Sequence, residues 1–522
     1  MMIELLIGFT FVAALATMVA PDEYAGRLAF ALSLLPVAGS LLMWGQFDAV
    51  GNALMGGQIA FETTVQWFTL GGLDLQWHVG VDGISLPLVV LTTILTTLSI
   101  VSAWSPISER QSQFYGLMLL MEANLLGVFT ALDFFVWFIF WEAVLVPMYF
   151  LIGIWGGPRR KYAAIKFFVY TNIASLVMFI GFVALVLGLP VDSLDLPAIA
   201  QSLRAGEIAG YAGLSAANLK LVAFVAMFLG FAVKVPVAPL HTWLPDAHVE
   251  APTPVSVMLA GVLLKMGTYA LLRFNFTMLP DVATALAVPI AAIAVISVIY
   301  GAMLALAQQD LKRIVAYSSV SSMGYVILGL VAYTTYGVGG ATFQMIAHGL
   351  ISGLMFMTVG VIYNVTHTRM VGDMSGMADR MPLTAGVFVA GAFGYMGLPL
   401  MAGFAGEFFI FKGAFASTTI PSMPLFTAVA MFGIVIVAGY LLFAMQRTLF
   451  GPFSFDGDYE VREAPLRDTV PITVLLLLVI ALGIAPNLFW PMIQDAVNPV
   501  LQGVGGSQAS VDLAGVLGGG LP

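Results

Sequence analysis

The chain has 522 residues, of which 60% are hydrophobic and only 9% charged, and its mean hydropathy is +0.99. Soluble domains carry roughly 25% charged residues, so this composition excludes a soluble globular protein and indicates an integral membrane protein. The chain has no cysteine, which excludes disulfides and thiolate-bound iron–sulfur clusters within it. Its formal net charge of −9 says little about partners, because in a membrane protein the side on which charges lie matters more than their sum.

Long apolar runs separated by short polar breaks predict an all-α polytopic fold, since a membrane barrel would show alternating segments of about ten residues instead. With about 20 residues per span, we predict fourteen transmembrane helices. They lie near residues 3–20, 26–45, 84–104, 113–131, 134–155, 164–189, 219–240, 254–274, 284–307, 314–334, 341–364, 385–414, 424–446 and 470–492. The stretches 46–82 and 190–218 are predicted to be extramembrane loops.

Lysine and arginine residues are unevenly divided between the two sets of loops that fourteen spans create. Thirteen basic residues fall in one set and four in the other. Because basic residues concentrate on the cytoplasmic side, we expect both termini on the periplasmic side of a bacterial inner membrane. The two basic residues left over, Lys234 and Lys265, are the only ones that the predicted spans place well inside the membrane.

Ionisable residues inside a membrane are rare because each costs about 2.5–3.5 kcal/mol on insertion scales, and they usually mark ion pathways. Here they are Glu142, Lys234, Lys265, His348 and Glu407, with Glu122 nearer a helix end. One such pair could instead be a structural ion pair, a lone histidine could be a satisfied core residue, and Glu122 could reach the interface. His241 and His248, in a loop-like stretch, are interpreted as surface or capping residues.

Two of the predicted helices are interrupted, one in each half of the chain. Pro236 and Pro239 follow Lys234 in the seventh span, and glycine and proline break the long apolar run 385–414 that carries Glu407. Matched broken helices with ionisable residues are typical of transporters built from inverted repeats, and two five-helix repeats pair the seventh helix with the twelfth. The predicted divisions are 1–112 (three helices and a loop), 113–274 (first repeat), 284–448 (second repeat) and 449–522 (last helix and tail).

Three motifs carry a resemblance to a known family. They are "FFVWFIFWEAVLVPMYFLIGIWG", "KVPVAPLHTWLPDAHVEAPTPVSVMLAGVLLKMGTYALLR" and "LAQQDLKRIVAYSSVSSMGYV". In this order the chain resembles the antiporter-like subunits of proton-translocating NADH:quinone oxidoreductase, respiratory complex I, from about residue 80 to about residue 450. Glu407 stands where the L type, the N type and the cation/proton antiporter relatives usually have lysine. Together with the short Gly-rich tail, which replaces the long lateral helix of the L type, it favours the M type.

The resemblance implies a role for each buried ionisable residue. Glu142 on the fifth helix would pair with Lys234 and tune it, and Lys234 would be the switching proton carrier. Lys265 and His348 would link the two halves, and Glu407 would release the proton outside. Family members often have a histidine where this chain has Ser322, so a histidine relay is not expected there, although a hydroxyl with water could serve.

The resemblance also implies what lies outside this chain. It has no nucleotide-binding motif, and NADH, FMN, iron–sulfur clusters and quinone are expected in partner subunits, with no cofactor or metal in this one. The expected partners are the L-type and N-type antiporter-like subunits, other membrane subunits, lipids and protons, and no nucleic acid. Two alternatives stay open: a subunit of a multisubunit sodium/proton antiporter, and a structural scaffold whose buried charges only fix assembly.

Overall fold

The computed structural model describes residues 1–457 and 459–505, and most of these residues are helical. The first half contains α1 (Met2–Val19), α2 (Asp22–Gly45), α3 (Ser85–Ser102), α4 (Gln111–Thr130), α5 (Phe134–Ala143), α6 (Leu145–Trp155), α7 (Arg160–Leu187), α8 (Leu196–Arg204), α9 (Ala216–Lys234), α10 (Trp243–Glu250), α11 (Thr253–Met258) and α12 (Leu264–Ala270). The second half contains α13 (Pro280–Ala285), α14 (Ala287–Leu306), α15 (Leu311–Val331), α16 (Thr335–Thr366), α17 (Pro382–Tyr395), α18 (Ala402–Phe415), α19 (Met423–Thr448), α20 (Leu466–Ile484) and α21 (Trp490–Gly505).

The predicted spans correspond to helices of the structure. In the described part of the chain, twelve helices are long and apolar enough to cross a membrane. The two further predicted spans are α4, which carries Glu122, and the pair α17 and α18, which are 14 residues each. The seventh and twelfth spans are both broken, as predicted, so the polytopic helical fold is confirmed.

Helix α16 forms the centre of the second half and is the longest helix in the described chain, at 32 residues. It packs against α15, α17, α18 and α20, and against α3 from the first half. Helix α7 packs against the broken seventh span much as α16 packs against the broken twelfth. This correspondence agrees with the two five-helix repeats, whereas the exact division boundaries stay a prediction.

The eighth span runs over Thr253–Thr277 and changes its helical geometry along its length. Two π-helical stretches, Leu259–Leu263 and Leu271–Thr277, flank the α-helical segment α12. Every residue from Pro254 to Thr277 is buried, so the span lies between the two halves rather than against lipid. Stretches of π-helix are rare and often occur at functional sites.

The loop predicted over 46–82 contains a β-hairpin that the sequence analysis did not foresee. Strands β1 (Ala60–Leu70) and β2 (Leu73–Val81) are antiparallel and joined at Gly71 and Gly72, both with positive φ. The first strand is rich in threonine, valine and aromatic residues, which favour strands. The loop at 190–218 contains α8, and α21 follows the last span. The predicted Gly-rich tail lies almost wholly outside the described residues.

His78 links the hairpin to the loop before α8 through hydrogen bonds. Its Nδ1 lies 2.5 Å from Asp195 Oδ1 and its Nε2 lies 3.0 Å from Glu62 Oε1. Burial lowers the pKa of His78, but the hydrogen bonds and charges of the two carboxylates outweigh burial and raise this pKa above its ordinary value of 6.5. The protonated imidazole therefore holds together two extramembrane segments that are distant in sequence.

Candidate proton relay

Lys234 is placed by the break in the seventh span. Helix α9 ends at Lys234, and α10 begins only at Trp243, after two prolines that cannot continue the helix. Other side chains satisfy the backbone groups that the break leaves without helical partners: Trp243 Nε1 donates to the Val233 carbonyl at 2.9 Å, and the Ala238 N–H donates to Ser297 Oγ at 2.9 Å. The ammonium group thus lies at a helix end inside the bundle.

The Lys234 ammonium is buried and has an aromatic neighbour rather than a direct acidic one. Its Nζ lies 4.8 Å from the centroid of the Trp141 ring and has no hydrogen-bond partner among residues 1–457 and 459–505. Glu142 follows Trp141, the residue under the Lys234 ammonium, in α5. Glu142 Oε2 instead accepts a hydrogen bond of 2.9 Å from Asn172, and no ion pair joins it to Lys234 within the described chain.

Lys265 and His348 are in direct contact at the junction of the two halves. Lys265 Nζ lies 2.7 Å from His348 Nδ1 and donates to the Ala260 carbonyl, five residues earlier, at 2.5 Å. His348 Nε2 has no partner in the part of the chain that the structure describes, and its ring packs edge-on against Tyr395 with centroids 5.8 Å apart. The predicted link between the eighth and eleventh spans is therefore a contact in the structure.

Glu407 lies in α18, just after the break in the twelfth span. Its Oε2 is buried and accepts no hydrogen bond from any described residue. This oxygen occupies the space beside Gly397, which has a φ of +64° and where an added Cβ would lie only 2.4 Å from it. Gly397 thus permits both the backbone turn of the break and the position of the carboxylate.

Gln344 is a further buried polar residue, which the sequence did not indicate, and it lies where α16, the helix of His348, meets α18, the helix of Glu407. It lies one helical turn before His348 in α16, and its Oε1 meets α18 at Gly406, next to Glu407. This oxygen is buried and has no hydrogen-bond partner in the described ranges. A glutamine in an apolar helix carries no sequence signal of its own, because only the packing of α16 on α18 brings it to this position.

Three other sequence interpretations are corrected by the structure. His248 is fully buried in α10 and stacks on Phe356 with ring centroids 4.4 Å apart, and His241 is also buried, so neither is a surface residue. Glu122 is completely buried in α4 rather than reaching the interface. The half-helix α10 folds back into the bundle, which buries residues that looked like part of a loop.

A separate buried ion pair fixes the other end of the eighth span. Arg273 donates to Asp82 Oδ1 at 2.5 Å, and its guanidinium lies over the Tyr269 ring. Burial by itself would raise the pKa of Asp82. The charge of Arg273 and the hydrogen bonds to this carboxylate together have the larger effect, so the pKa lies below its usual range. Asp82 also accepts backbone bonds from Ile84 and Ser85. All these bonds make the pair a fixed structural element.

Comparison with known proteins gives these buried residues a family context. Residues 131–437 match the family model described as "NADH:quinone oxidoreductase/Mrp antiporter, TM", which is more than half of the chain. The chain belongs to this family. One relative is "NADH-quinone oxidoreductase subunit M" of Rhodobacter capsulatus. The two chains are 37% identical over 494 residues, which cover 92% of this chain and 91% of that protein.

Two further relatives support the same placement in the family. The chain is 38% identical over 497 residues to "NAD(P)H-quinone oxidoreductase chain 4 3" of Trichormus variabilis, covering 92% of this chain and 88% of that one. Its structure superposes on a chain of "Respiratory complex I from Thermus thermophilus with bound NADH" with a TM-score of 0.84 at 25% identity, covering 97% and 100% of the two chains. The predicted resemblance to antiporter-like subunits of the M type is therefore confirmed.

Proposed function

We propose that this family member translocates protons across the membrane, from the cytoplasm to the outside, as a subunit of a proton-translocating NADH:quinone oxidoreductase. The carriers are Lys234, Lys265, His348 and Glu407, and Glu142 controls the first of them. The observation that supports this proposal best is the set of buried ionisable groups at the two helix breaks and at the junction between them. At each break an ionisable atom has no hydrogen-bond partner among the described residues.

The neighbourhood of Lys234 suits a switch rather than a fixed pair. A nearby carboxylate stabilises a protonated lysine, and burial favours the neutral form, so small displacements of Glu142 relative to Lys234 change the proton affinity of the amine. Because Glu142 is held by Asn172 and not by Lys234, this displacement breaks no direct ion pair. Moving one charge against a membrane potential of 100 mV requires about 2.3 kcal/mol, which corresponds to fewer than two pKa units.

The second half of the relay runs through the contact between Lys265 and His348. A proton on Lys265 reaches His348 Nδ1 over 2.7 Å, and Nε2 then releases a proton towards the region of Gln344 and Glu407. Water completes such links where two polar groups lie beyond hydrogen-bonding distance. Ser322, where relatives often have histidine, is buried in α15 and contributes a hydroxyl to this region in our proposal.

The energy for pumping comes from outside this chain. We propose that NADH, FMN, iron–sulfur clusters and quinone are held by partner subunits, and that L-type and N-type antiporter-like subunits are its membrane neighbours. The chain is a multi-pass membrane protein of a respiratory complex. The excess of lysine and arginine in one set of loops supports a bacterial inner membrane with both termini on the periplasmic side.

The central test replaces Lys234 by methionine, which keeps the side-chain length and removes the charge. In vesicles with assembled complex, we expect proton pumping per assembled complex to fall at least about tenfold, since a carrier has been removed. The matched control is Lys220→Met, on the same helix, which breaks the outer ion pair with Asp281 and should leave pumping intact. Normal pumping by Lys234→Met would refute the relay and favour the scaffold alternative.

A sodium/proton antiporter subunit is the second candidate, because the matching family model includes Mrp antiporters. The carboxylate of Glu407, where antiporter relatives usually have lysine, argues for the oxidoreductase. Proton movement in vesicles driven by NADH and quinone in the absence of sodium supports the first candidate. Proton movement that requires a sodium gradient and ignores NADH supports the second.

A further inference from the structure

A cluster of basic side chains surrounds the beginning of α7, outside the proposed relay. Arg159, Arg160, Lys161 and Tyr162 line a shallow surface recess together with Gly157 and Pro158. The Tyr162 ring lies 5.8 Å from the Arg159 guanidinium and 5.7 Å from Lys166 Nζ. Arg160 and Lys161 are exposed and enter none of the ion pairs found in the described residues. Arg160 and Lys161 therefore give the recess positive charge that no ion pair among the described residues neutralises, whereas Arg159 is paired with α10.

An exposed apolar stripe continues from this cluster along the same helix. Below Tyr162 it consists of Ile165, Val169, Ile173, Leu176 and Ile180, which are between 47% and 67% exposed. Their spacing of three or four residues places them on one face of α7. The stripe spans 16 residues, and its 15 steps of 1.5 Å give a length of about 22 Å. That length accommodates an acyl chain, which extends over about half of a hydrocarbon core about 30 Å thick.

We propose that this surface binds an anionic phospholipid, with its phosphate on the recess and an acyl chain along the stripe. The inference rests on the combination of charge and position: a basic cluster at the membrane surface attracts anionic headgroups, and an apolar helix face directly below it contacts hydrocarbon. It does not depend on the proposed proton transfer, because no carrier of the relay lies in this surface.

Arg159 connects the lipid surface to the broken seventh span. Its backbone N–H donates to Glu250 Oε2 at 2.8 Å, and its guanidinium lies 3.5 Å from Asp246 Oδ1. Both acidic residues belong to α10, the half-helix that follows Lys234. A headgroup phosphate beside Arg159 competes with Asp246 for the same guanidinium. Lipid binding therefore weakens the ion pair between Arg159 and α10.

The test uses the intact complex in phosphatidylcholine liposomes that contain phosphatidylglycerol with a photoactivatable acyl chain. After illumination, mass spectrometry locates the adducts on peptides of the chain. We expect adducts on the exposed face of α7, and we expect unlabelled phosphatidylglycerol to displace the probe. In Arg160→Gln/Lys161→Gln, loss of two charges should weaken the apparent affinity for phosphatidylglycerol about 30-fold, without altering the contacts of Arg159 with α10.

The matched control is Arg380→Gln/Arg462→Gln, which removes two arginines from loops of the same basic set. Its labelling of α7 should equal that of the unmodified chain. Two results would each overturn the proposal: no adducts on α7, or equal labelling of α7 by a photoactivatable phosphatidylcholine. Thermal melts of both double variants verify that the complexes remain folded, and labelling is compared at equal amounts of folded complex.

Discussion

The position of the Glu407 carboxylate is open to a direct test through Gly397→Ala. Gly397 has a φ of +64°, and an L-residue in this left-handed region costs about 1–2 kcal/mol. The new Cβ would lie 2.4 Å from Glu407 Oε2, whereas ordinary contacts begin at 3.4 Å. The carboxylate must therefore move by about 1 Å, which a flexible side chain does at little cost in stability.

The consequence for proton transfer is larger than the consequence for folding. A misplacement of about 1 Å in a reacting group can lower a rate up to about a hundredfold. We therefore expect Gly397→Ala to assemble, with a stability loss of about 1–2 kcal/mol, and to lower proton pumping by tenfold or more. The assay is proton uptake by vesicles, normalised to assembled complex and to NADH oxidation.

Two matched alanine variants separate displacement from backbone strain. Gly206→Ala places alanine at a φ of +73° with nothing within 4 Å of the new Cβ, and Gly386→Ala adds a Cβ in α17 where the space is likewise open. Both should pump normally. If Gly397→Ala pumps as well as Gly206→Ala does, the position of the Glu407 carboxylate does not limit proton transfer. The contact between residue 397 and Glu407 would then have no role in pumping.

Three further predictions follow from other parts of the chain. Gln344→Leu removes an amide that would hydrogen-bond water on the proposed path, so it should lower pumping about tenfold, equivalent to about 1.4 kcal/mol in the barrier, with assembly intact. Unchanged pumping in vesicles would exclude this amide from the path. Asp82→Asn leaves the buried Arg273 charge unpaired and should destabilise the chain by about 3–5 kcal/mol, measured as yield and melting temperature of the complex; a loss below about 1 kcal/mol would contradict the proposed structural role. His78 has a raised pKa, so its ion pairs stabilise the hairpin fully below about pH 6.5 and progressively less as pH rises through the folded pKa. Proteolysis of the hairpin should accordingly accelerate more in His78→Gln at pH 6 than at pH 9, relative to the unmodified chain, and equal acceleration at both would refute this role of the histidine.

The spans and the breaks were predictable because lipid imposes a strong constraint on sequence. Fourteen apolar runs match helices of the structure, and the prolines after Lys234 end α9 at that residue. The β-hairpin was missed because an extramembrane loop lacks this constraint, and its alternating pattern is interrupted by two register shifts.

The candidate site was predictable only in part, for a different physical reason. A charged residue in an apolar run is conspicuous, so Glu142, Lys234 and Lys265 were identified at once. The burial of His248 and the position of Gln344 were not predictable, because both arise from tertiary packing: α10 folds inward, and α16 meets α18 at a glycine. Sequence periodicity describes one helix at a time and cannot place residues of two helices against each other.

The structure separates the charges of this chain into two kinds, and the difference bears on how the relay operates. Outside the relay, Lys166 lies 2.8 Å from Asp246, and Arg273 lies 2.5 Å from Asp82. Breaking a fully buried pair such as Arg273–Asp82 costs about 3–5 kcal/mol, more than the roughly 2.3 kcal/mol that one charge gains from 100 mV. A carrier held in such a pair could not be released and reprotonated by energies of this size. Lys234, beside an aromatic ring and without an ion pair in the described chain, is free of that cost, so a modest displacement of a neighbouring charge suffices to change its protonation.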